Sequence, residues 1–290
     1  MERYSIRDID KLSGIKAHTI RVWERRYGIV KPQRTGTNRR RYGDEELRRI
    51  INISILRRNG FKISAIARLS DSDIEGKVSY LSKEVFNSDT QIDSMVKAMV
   101  DLNEKALNDL LNRSMMNRGL EETMTALVFP FLKRIGFMWQ TGSADTGSEH
   151  FVSNIFRQKL IASIENLSPV LKPKSKKVIL FLPEKEMHEM GLLFFHYLVK
   201  KAGHESLYLG QSTPLSSVVS ESRQWGADIL ITGLMSGYPD IKPDDYIKDL
   251  AASFPGQKIL IAGELAKTAV KLKFKNVFSL NSAEDLRSFL

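Results

Sequence analysis

Five short apolar runs dominate the last third of the chain: Val178–Leu182, Leu207–Leu209, Asp228–Thr232, Lys258–Ala262 and Asn276–Ser279. Their apolar residues are nearly continuous rather than alternating, the pattern of strands buried on both faces. Helical spacing follows each run, over about Glu189–Ala202, Pro214–Trp225, Pro243–Phe254, Leu265–Leu272 and from Ser282 onward. Alternating β and α units with doubly buried strands predict a parallel sheet covered by helices on both faces. Ligands of such sheets lie outside the carboxyl ends of the strands. That edge would carry Glu186, His188 and Gly191 after the first strand, Thr232 and Leu234 at the end of the third, and Ala262 and Gly263 at the end of the fourth. A lone loop histidine is ordinarily a surface residue, and by itself His188 is no more than that.

A Pro/Lys-rich segment, Leu167–Lys177, marks the boundary before this domain. Upstream of it, from about Gln91 to Leu167, only helical spacing is found. Ile92, Met95, Val96, Met99 and Val100 share one stripe, and Leu107, Leu110 and Leu111 another. Leu127, Phe131 and Ile135 form a third, and Phe151, Ile155, Leu160 and Ile164 a fourth. Four such segments predict a small helix bundle, with most of its methionines as core filler. One polar, glycine-bearing connection runs from Trp139 to the adjacent pair Glu149 and His150. Alone, it reads as a packed tryptophan and a solvated first turn.

The first 70 residues hold 18 Lys and Arg against 7 Asp and Glu, whereas the remaining residues hold 26 against 27. A basic block confined to one end is the footprint of a nucleic-acid-binding domain. Ser5–Gly14 reads as a short capped helix with Ile6, Ile9 and Leu12 on one face, closed by a glycine turn. A second helix, about Ala17–Tyr27, turns Ile20 and Trp23 inward and leaves His18, Thr19, Arg21, Arg25 and Arg26 outside. This is the helix-turn-helix arrangement, whose second helix enters the major groove. Trp23 reads as core packing rather than a base contact. The segment Lys31–Tyr42 is broken by proline and glycine and rich in arginine, and it predicts a β-wing. Arg34, Asn38, Arg39, Arg40, Arg41 and Tyr42 would lie there along the phosphate backbone. Helices over Asp44–Asn59 and about Ile63–Leu69 complete the head.

At 290 residues the chain suits two or three domains. It lacks cysteine, which excludes disulfides, thiolate metal sites and cysteine nucleophiles. No run approaches the roughly 18 apolar residues of a membrane span, and the N-terminus has no apolar stretch like that of a signal peptide. A cytoplasmic protein is expected. Paired catalytic carboxylates, a phosphate-cradling glycine loop and a nucleophile elbow are all missing, so an enzyme is not expected.

The run Thr19–Gly28, the Pro32/Arg34 start of the wing and its Arg41–Tyr42 end resemble the MerR family of bacterial regulators over about residues 3 to 72. The resemblance implies a homodimer or homotetramer on double-stranded operator DNA. With no cysteine, a thiophilic metal effector does not fit. The sheet-edge residues resemble the cobalamin-binding domain of corrinoid proteins. That family shows Asp-x-His-x-x-Gly, Ser-x-Leu and Gly-Gly, where this chain has Glu-x-His-x-x-Gly, Thr-x-Leu and Ala-Gly. The resemblance implies His188 as the lower axial ligand of cobalt, oriented by Glu186. Gly191, Thr232, Leu234, Ala262 and Gly263 would then lie along the channel for the cofactor's displaced tail. Trp139 followed after nine residues by Glu149 and His150 is similar to the cap of light-sensing MerR regulators of the CarH type, where those residues meet the upper, adenosyl face. Those relatives carry a histidine directly after the tryptophan, and this chain has Gln140.

The expected organisation is multidomain, α and α/β. A MerR-type winged helix-turn-helix spans 1–75, a helical-bundle cap 76–168, a linker 169–177 and a flavodoxin-like or Rossmann-like parallel-sheet domain 178–290. The expected function is a DNA-binding transcriptional regulator, a repressor. Its oligomeric state and operator affinity would respond to cobalamin, adenosylcobalamin first, with light as a possible trigger. Two alternatives stand beside it: a regulator whose cobalamin pocket is vestigial and which answers to another ligand or protein, and a corrinoid-dependent enzyme or methyl carrier.

Overall fold

The computed structural model describes residues 4–36, 38–84, 88–140, 146–168, 170–235, 243–263 and 274–290. The chain divides into two compact units, Met1–Ile155 and Phe156–Leu290.

The first unit opens with α1 (Ile6–Ser13), capped as its sequence predicts. Ser5 N–H donates to Asp8 Oδ2 at 2.7 Å and Asp8 N–H to Ser5 Oγ at 3.4 Å, a reciprocal cap that contributes about 1 kcal/mol. Gly14 ends the helix at φ 70°, a left-handed conformation that a side chain would strain. The second helix, α2 (Ala17–Tyr27), has no cap of its own at Lys16; instead Asp10 Oδ2, from α1, accepts the Ala17 N–H at 2.9 Å. Strands β1 (Tyr4–Ser5), β2 (Gln33–Arg34) and β3 (Arg40–Tyr42) form a small antiparallel sheet in the order β1-β3-β2. This is the expected wing.

Helix α3 (Asp44–Arg58) is the spine of the unit. Leu47, Ile50, Ile51, Ile53, Ile55 and Leu56 all exclude solvent. A helix apolar around its circumference needs neighbours on every side, and here they are α1, β3, α5 (Asp71–Glu84) and α6 (Ser88–Val100). Head and bundle therefore share one core. Between α3 and α5 lies a single turn, α4 (Ile63–Ile66), shorter than its sequence suggests. Helix α5 itself is not anticipated by periodicity, because among its described side chains only Ile74 and Val78 are buried. Its usable signal is a second reciprocal cap, Ser70 with Asp73.

The bundle continues through α7 (Glu104–Thr123), a π-helical turn over Met124–Val128, α8 (Phe129–Gln140) and α9 (Thr146–Glu165). The π turn ends two residues before Pro130, which has no N–H to donate. Of the bundle methionines, Met95, Met99 and Met124 are core, whereas Met116 is exposed. Residues 141–145 of the Trp139–His150 connection lie outside the described residues.

The second unit holds five parallel strands: β4 (Lys177–Phe181), β5 (Glu205–Gly210), β6 (Ile229–Gly233), β7 (Lys258–Ala262) and β8 (Val277–Leu280), in the order β5-β4-β6-β7-β8. The chain begins at β4, steps outward to β5 and returns past β4 to β6. This flavodoxin-like order puts the reversal point between β4 and β6. Ile179, Phe181, Leu230, Ile259 and Ile261 join Val218 of α11 (Leu215–Trp225) and Tyr246, Ile247 and Leu250 of α12 (Pro243–Ser253) in one core. Helix α10 (Met190–Lys201) packs on β4, β5 and β6, and α13 (Ala283–Phe289) packs on α10. The helix expected over Leu265–Leu272 lies outside the described residues.

Burial under α10 leaves a titration signature. His196 packs its ring 5.0 Å from that of Tyr208, and loss of water, aided by Lys200, pushes its pKa down to about 4. The neutral ring is the form the fold accepts. Its stabilisation is fully present above the unfolded pKa near 6.5 and is lost as pH falls toward 4. Hydrogen-exchange protection of β5 should accordingly fall by roughly 1–2 kcal/mol across that window, after discounting for partial exposure of the ring. The slope should flatten in His196→Gln.

Candidate functional site

Two sites stand out, one in each unit. In the first, His18, Arg21, Arg25 and Arg26 of α2 are exposed, as are Arg34, Asn38 and Arg39 of the wing. Thr19 is half-buried and its hydroxyl lies 3.2 Å from His18 Nε2. Arg21 and Arg25 are one helical turn apart and so project together. Arg34 Nη1 donates to Asn38 Oδ1 at 2.7 Å, closing the wing's tip, with Asn38 at φ 59°. Arg40 behaves differently from the other arginines. Its Nε donates to both carboxylate oxygens of Glu24, at 2.9 and 3.2 Å, which ties the wing to α2 and raises the arginine's pKa. Arg41 is half-buried.

Tyr42 corrects the sequence reading. Expected on the DNA-facing surface, it is fully buried, and burial with the nearby Glu24 charge pushes its pKa up to about 12. Its place opposite Tyr4 in the β1–β3 pairing explains this: strand alternation turns it into the head's core, where it supports the wing. Trp23, expected inside, is only half-buried.

The second site lies at the carboxyl edge of the sheet, at the reversal point. Glu186, in the loop after β4, is 1 % exposed. Its Oε1 accepts the backbone N–H of Met187 and of His188, each at 3.0 Å, and Nδ1 of His188 at 2.6 Å. Its Oε2 accepts Met235 N–H from the loop after β6 at 3.2 Å. Its carbonyl accepts Ser212 N–H, and Gln211 Nε2 donates to the Met187 carbonyl, both from the loop after β5. One side chain and its neighbours thus bind three loops together. The imidazole is 62 % exposed above this buried carboxylate. With Nδ1 donating to Glu186, the ring's lone pair is on Nε2, the nitrogen that such a tautomer offers to a metal.

The neighbouring strand ends complete the edge. Thr232 is fully buried, in register with Phe181 and Ile261, and its hydroxyl has no hydrogen-bond partner among the described residues. The hydroxyl of Tyr246 is in the same condition, and its pKa is raised by burial. Strand alternation puts Thr232 on the face that α12 covers, so both orphaned hydroxyls belong to that layer. Leu234 is buried and donates its N–H to the Ala262 carbonyl at 2.8 Å. Gly263, at φ 102°, is the crowded position: a Cβ there would lie 2.5 Å from the Leu234 carbonyl oxygen. Ala262 ends β7 and is half-buried. A Cβ on Gly191 would meet nothing within 4 Å, which leaves open space beside the start of α10. Met187 and Met235 add exposed apolar surface beside His188 and Glu186.

Glu189 escapes sequence reasoning, since a glutamate next to a loop histidine has no distinguishing pattern. It is buried at the start of α10, where it accepts Arg157 Nε at 2.5 Å and Tyr208 Oη at 2.7 Å. The Tyr208 hydroxyl is pushed well above its ordinary pKa by burial and by this bond. Within the second unit, the end of α9 from Phe156 onward is thereby fastened to the His188 loop.

Trp139 and Gln140 end α8. Glu149 lies in the first turn of α9 and accepts Ser153 Oγ at 2.6 Å, with exposed His150 3.4 Å away. Among the described residues no cluster of three or more His, Asp or Glu could hold a bare metal ion. A single oriented imidazole suits a metal that brings its other ligands with it. Among the described residues no helix is long and apolar enough to cross a membrane.

Residues 4–73 match the model of the MerR HTH family regulatory protein, and residues 91–162 match that of the B12 binding domain. The HTH-type transcriptional repressor CarH of Myxococcus xanthus is 28 % identical over 217 residues, covering 73 % of this chain and 72 % of that protein. The repressor CarA of the same organism is 26 % identical over 228 residues, 78 % of this chain and 74 % of that one. Among solved structures, the monomethylamine corrinoid protein of Methanosarcina barkeri shares the fold. It is 16 % identical with a TM-score of 0.55, covering 72 % of this chain and 97 % of that one.

Gly263→Ala should destabilise the second unit by about 2–3 kcal/mol, from the left-handed backbone and the clash with Leu234. Urea unfolding of the full chain, followed at the Trp225 end of the sheet, measures it.

Proposed function

We propose that this chain, which carries a MerR-family helix-turn-helix domain and a B12 binding domain, is a transcriptional repressor that senses cobalamin. The observation that carries the reading is the buried Glu186 carboxylate holding Nδ1 of exposed His188 at the reversal point of the sheet. Three further features support a fit to the group: the orphaned Thr232 hydroxyl beneath the edge, the open space at Gly191, and the glycine at the crowded Gly263.

Bound cobalamin would supply a cobalt ion able to accept an imidazole and, in its adenosyl form, a cobalt–carbon bond that light can break. His188 would ligate the metal through Nε2, and Glu186 would fix the ring's tautomer and direction. Thr232 and Tyr246 would offer hydroxyls to polar atoms entering the layer between sheet and α12. Gly191, Leu234, Ala262 and Gly263 would line the same edge. The exposed arginines of α2 and the wing would hold operator phosphates, while Arg40 and Tyr42 keep the wing in place. Control requires that one oligomeric state, dimer or tetramer, bind the cofactor better than the other.

The test begins with purified full-length protein mixed with adenosylcobalamin in the dark and desalted. Retained cofactor with a base-off, histidine-ligated absorption spectrum is expected, and His188→Ala should abolish that spectrum. Cofactor lost on desalting would overturn the cobalamin reading and leave a regulator answering to another ligand. Green light then separates two kinds of sensor. A changed spectrum and elution volume would mark a photoreceptor despite Gln140, and no change would mark a sensor of cofactor supply. On the DNA side, Arg39→Ala should weaken binding to all duplexes similarly and reduce the slope of log affinity against log salt by about one.

A further inference from the structure

The first unit contains an ionic cluster that none of this uses. Asp93, on α6, is completely buried. Its Oδ1 accepts Arg134 Nη1 of α8 at 2.7 Å, and its Oδ2 lies 3.1 Å from Arg58 Nη1 at the end of α3. Arg134 also reaches the last turn of α1, and Arg58 the glycine after it. Arg134 Nε donates to the Lys11 carbonyl at 3.2 Å. Arg58 lies so close to Gly14 that a Cβ there would be 2.7 Å from its Nη2. One turn before Arg58, Ser54 Oγ donates to the Ser13 carbonyl at 2.8 Å. The end of α1 and the glycine that aims α2 are therefore held from behind by groups gathered around one bundle carboxylate.

Stability alone does not account for this cluster. Asp93 Oδ2 meets Arg58 as an ion pair outside hydrogen-bond geometry, and Arg134 Nη2 is buried without a hydrogen bond among the described residues. Burial pushes the Asp93 carboxyl above its ordinary pKa and the Arg134 guanidinium below its own, so each resists being charged there. Buried ion pairs of this kind are commonly matched or bettered by apolar residues. Geometry is what they provide.

We propose that Asp93 is a positioning residue for DNA recognition: through Arg58 and Arg134 it fixes the α1–α2 turn, and so the angle of α2, from inside the helix bundle. The cluster gives the bundle a direct mechanical hold on the recognition helix. This goes beyond the cobalamin reading and does not depend on it.

The test uses the full chain and a duplex selected by the wild-type protein from a random library, beside a random duplex of equal length. The apolar pair Asp93→Leu/Arg134→Met should keep the urea midpoint of the wild type or exceed it. Its affinity for the selected duplex should fall about tenfold with little change on the random one. Amide exchange at Gly14–Ala17 should quicken. Wild-type affinity for the selected duplex in this folded variant would overturn the proposal, as would an equal loss on both duplexes. Should the pair fail to fold, near-isosteric Asp93→Asn is compared in the same way at a temperature where it is native. Loss of discrimination there supports the proposal, and loss only in proportion to the unfolded fraction overturns it.

Discussion

A carboxylate removed from water must have its acceptor sites filled, and Glu186 fills them from two directions. It takes two backbone donors from its own loop, the imidazole of His188, and the Met235 amide from the neighbouring strand's loop. Each bond fixes a piece of backbone that would otherwise be a free loop tip. Together they create a rigid rim on the sheet, with one imidazole standing out of it. Glu189, the next charged residue along, extends the same device to α9 through Arg157 and to β5 through Tyr208. The candidate cofactor site is thus less a cavity than an oriented side chain on a braced edge.

The first unit solves a similar problem with a helix. A DNA-reading head of about 70 residues buries little core when alone. Here α3 passes through it and is apolar all round, so the helices beyond the head complete its core. A signal reaching the bundle then has a short path to the reading surface. That path is packed side chains and one buried ionic cluster rather than a flexible linker.

Much of this was legible in advance. Helix α1 carries its start and stop signals in Ser5 and Gly14 and α2 its stop in Gly28, and the strands of the sheet are continuous apolar runs that allow few alternatives. Helix α5 was not legible, because two buried residues among its described side chains make no stripe. The half-burial of Trp23 and the full burial of Tyr42 were not legible either. Both are aromatic residues in a basic segment, and only their neighbours decide how deep they sit.

The sequence by itself determined the order of the parts, the periodicity that sets helix against strand, and the residue types present at the sheet's edge. These follow from local pattern, which is a property of neighbouring residues. What only the tertiary structure decided is which residues act together. Glu186 reaches Met235 across 49 residues, Arg58 and Arg134 converge on Asp93 from helices far apart in the chain, and Gly263 lies against the Leu234 carbonyl. Such pairings depend on where the chain returns after a crossover, and no local pattern records the distance between two side chains that meet only when the core closes.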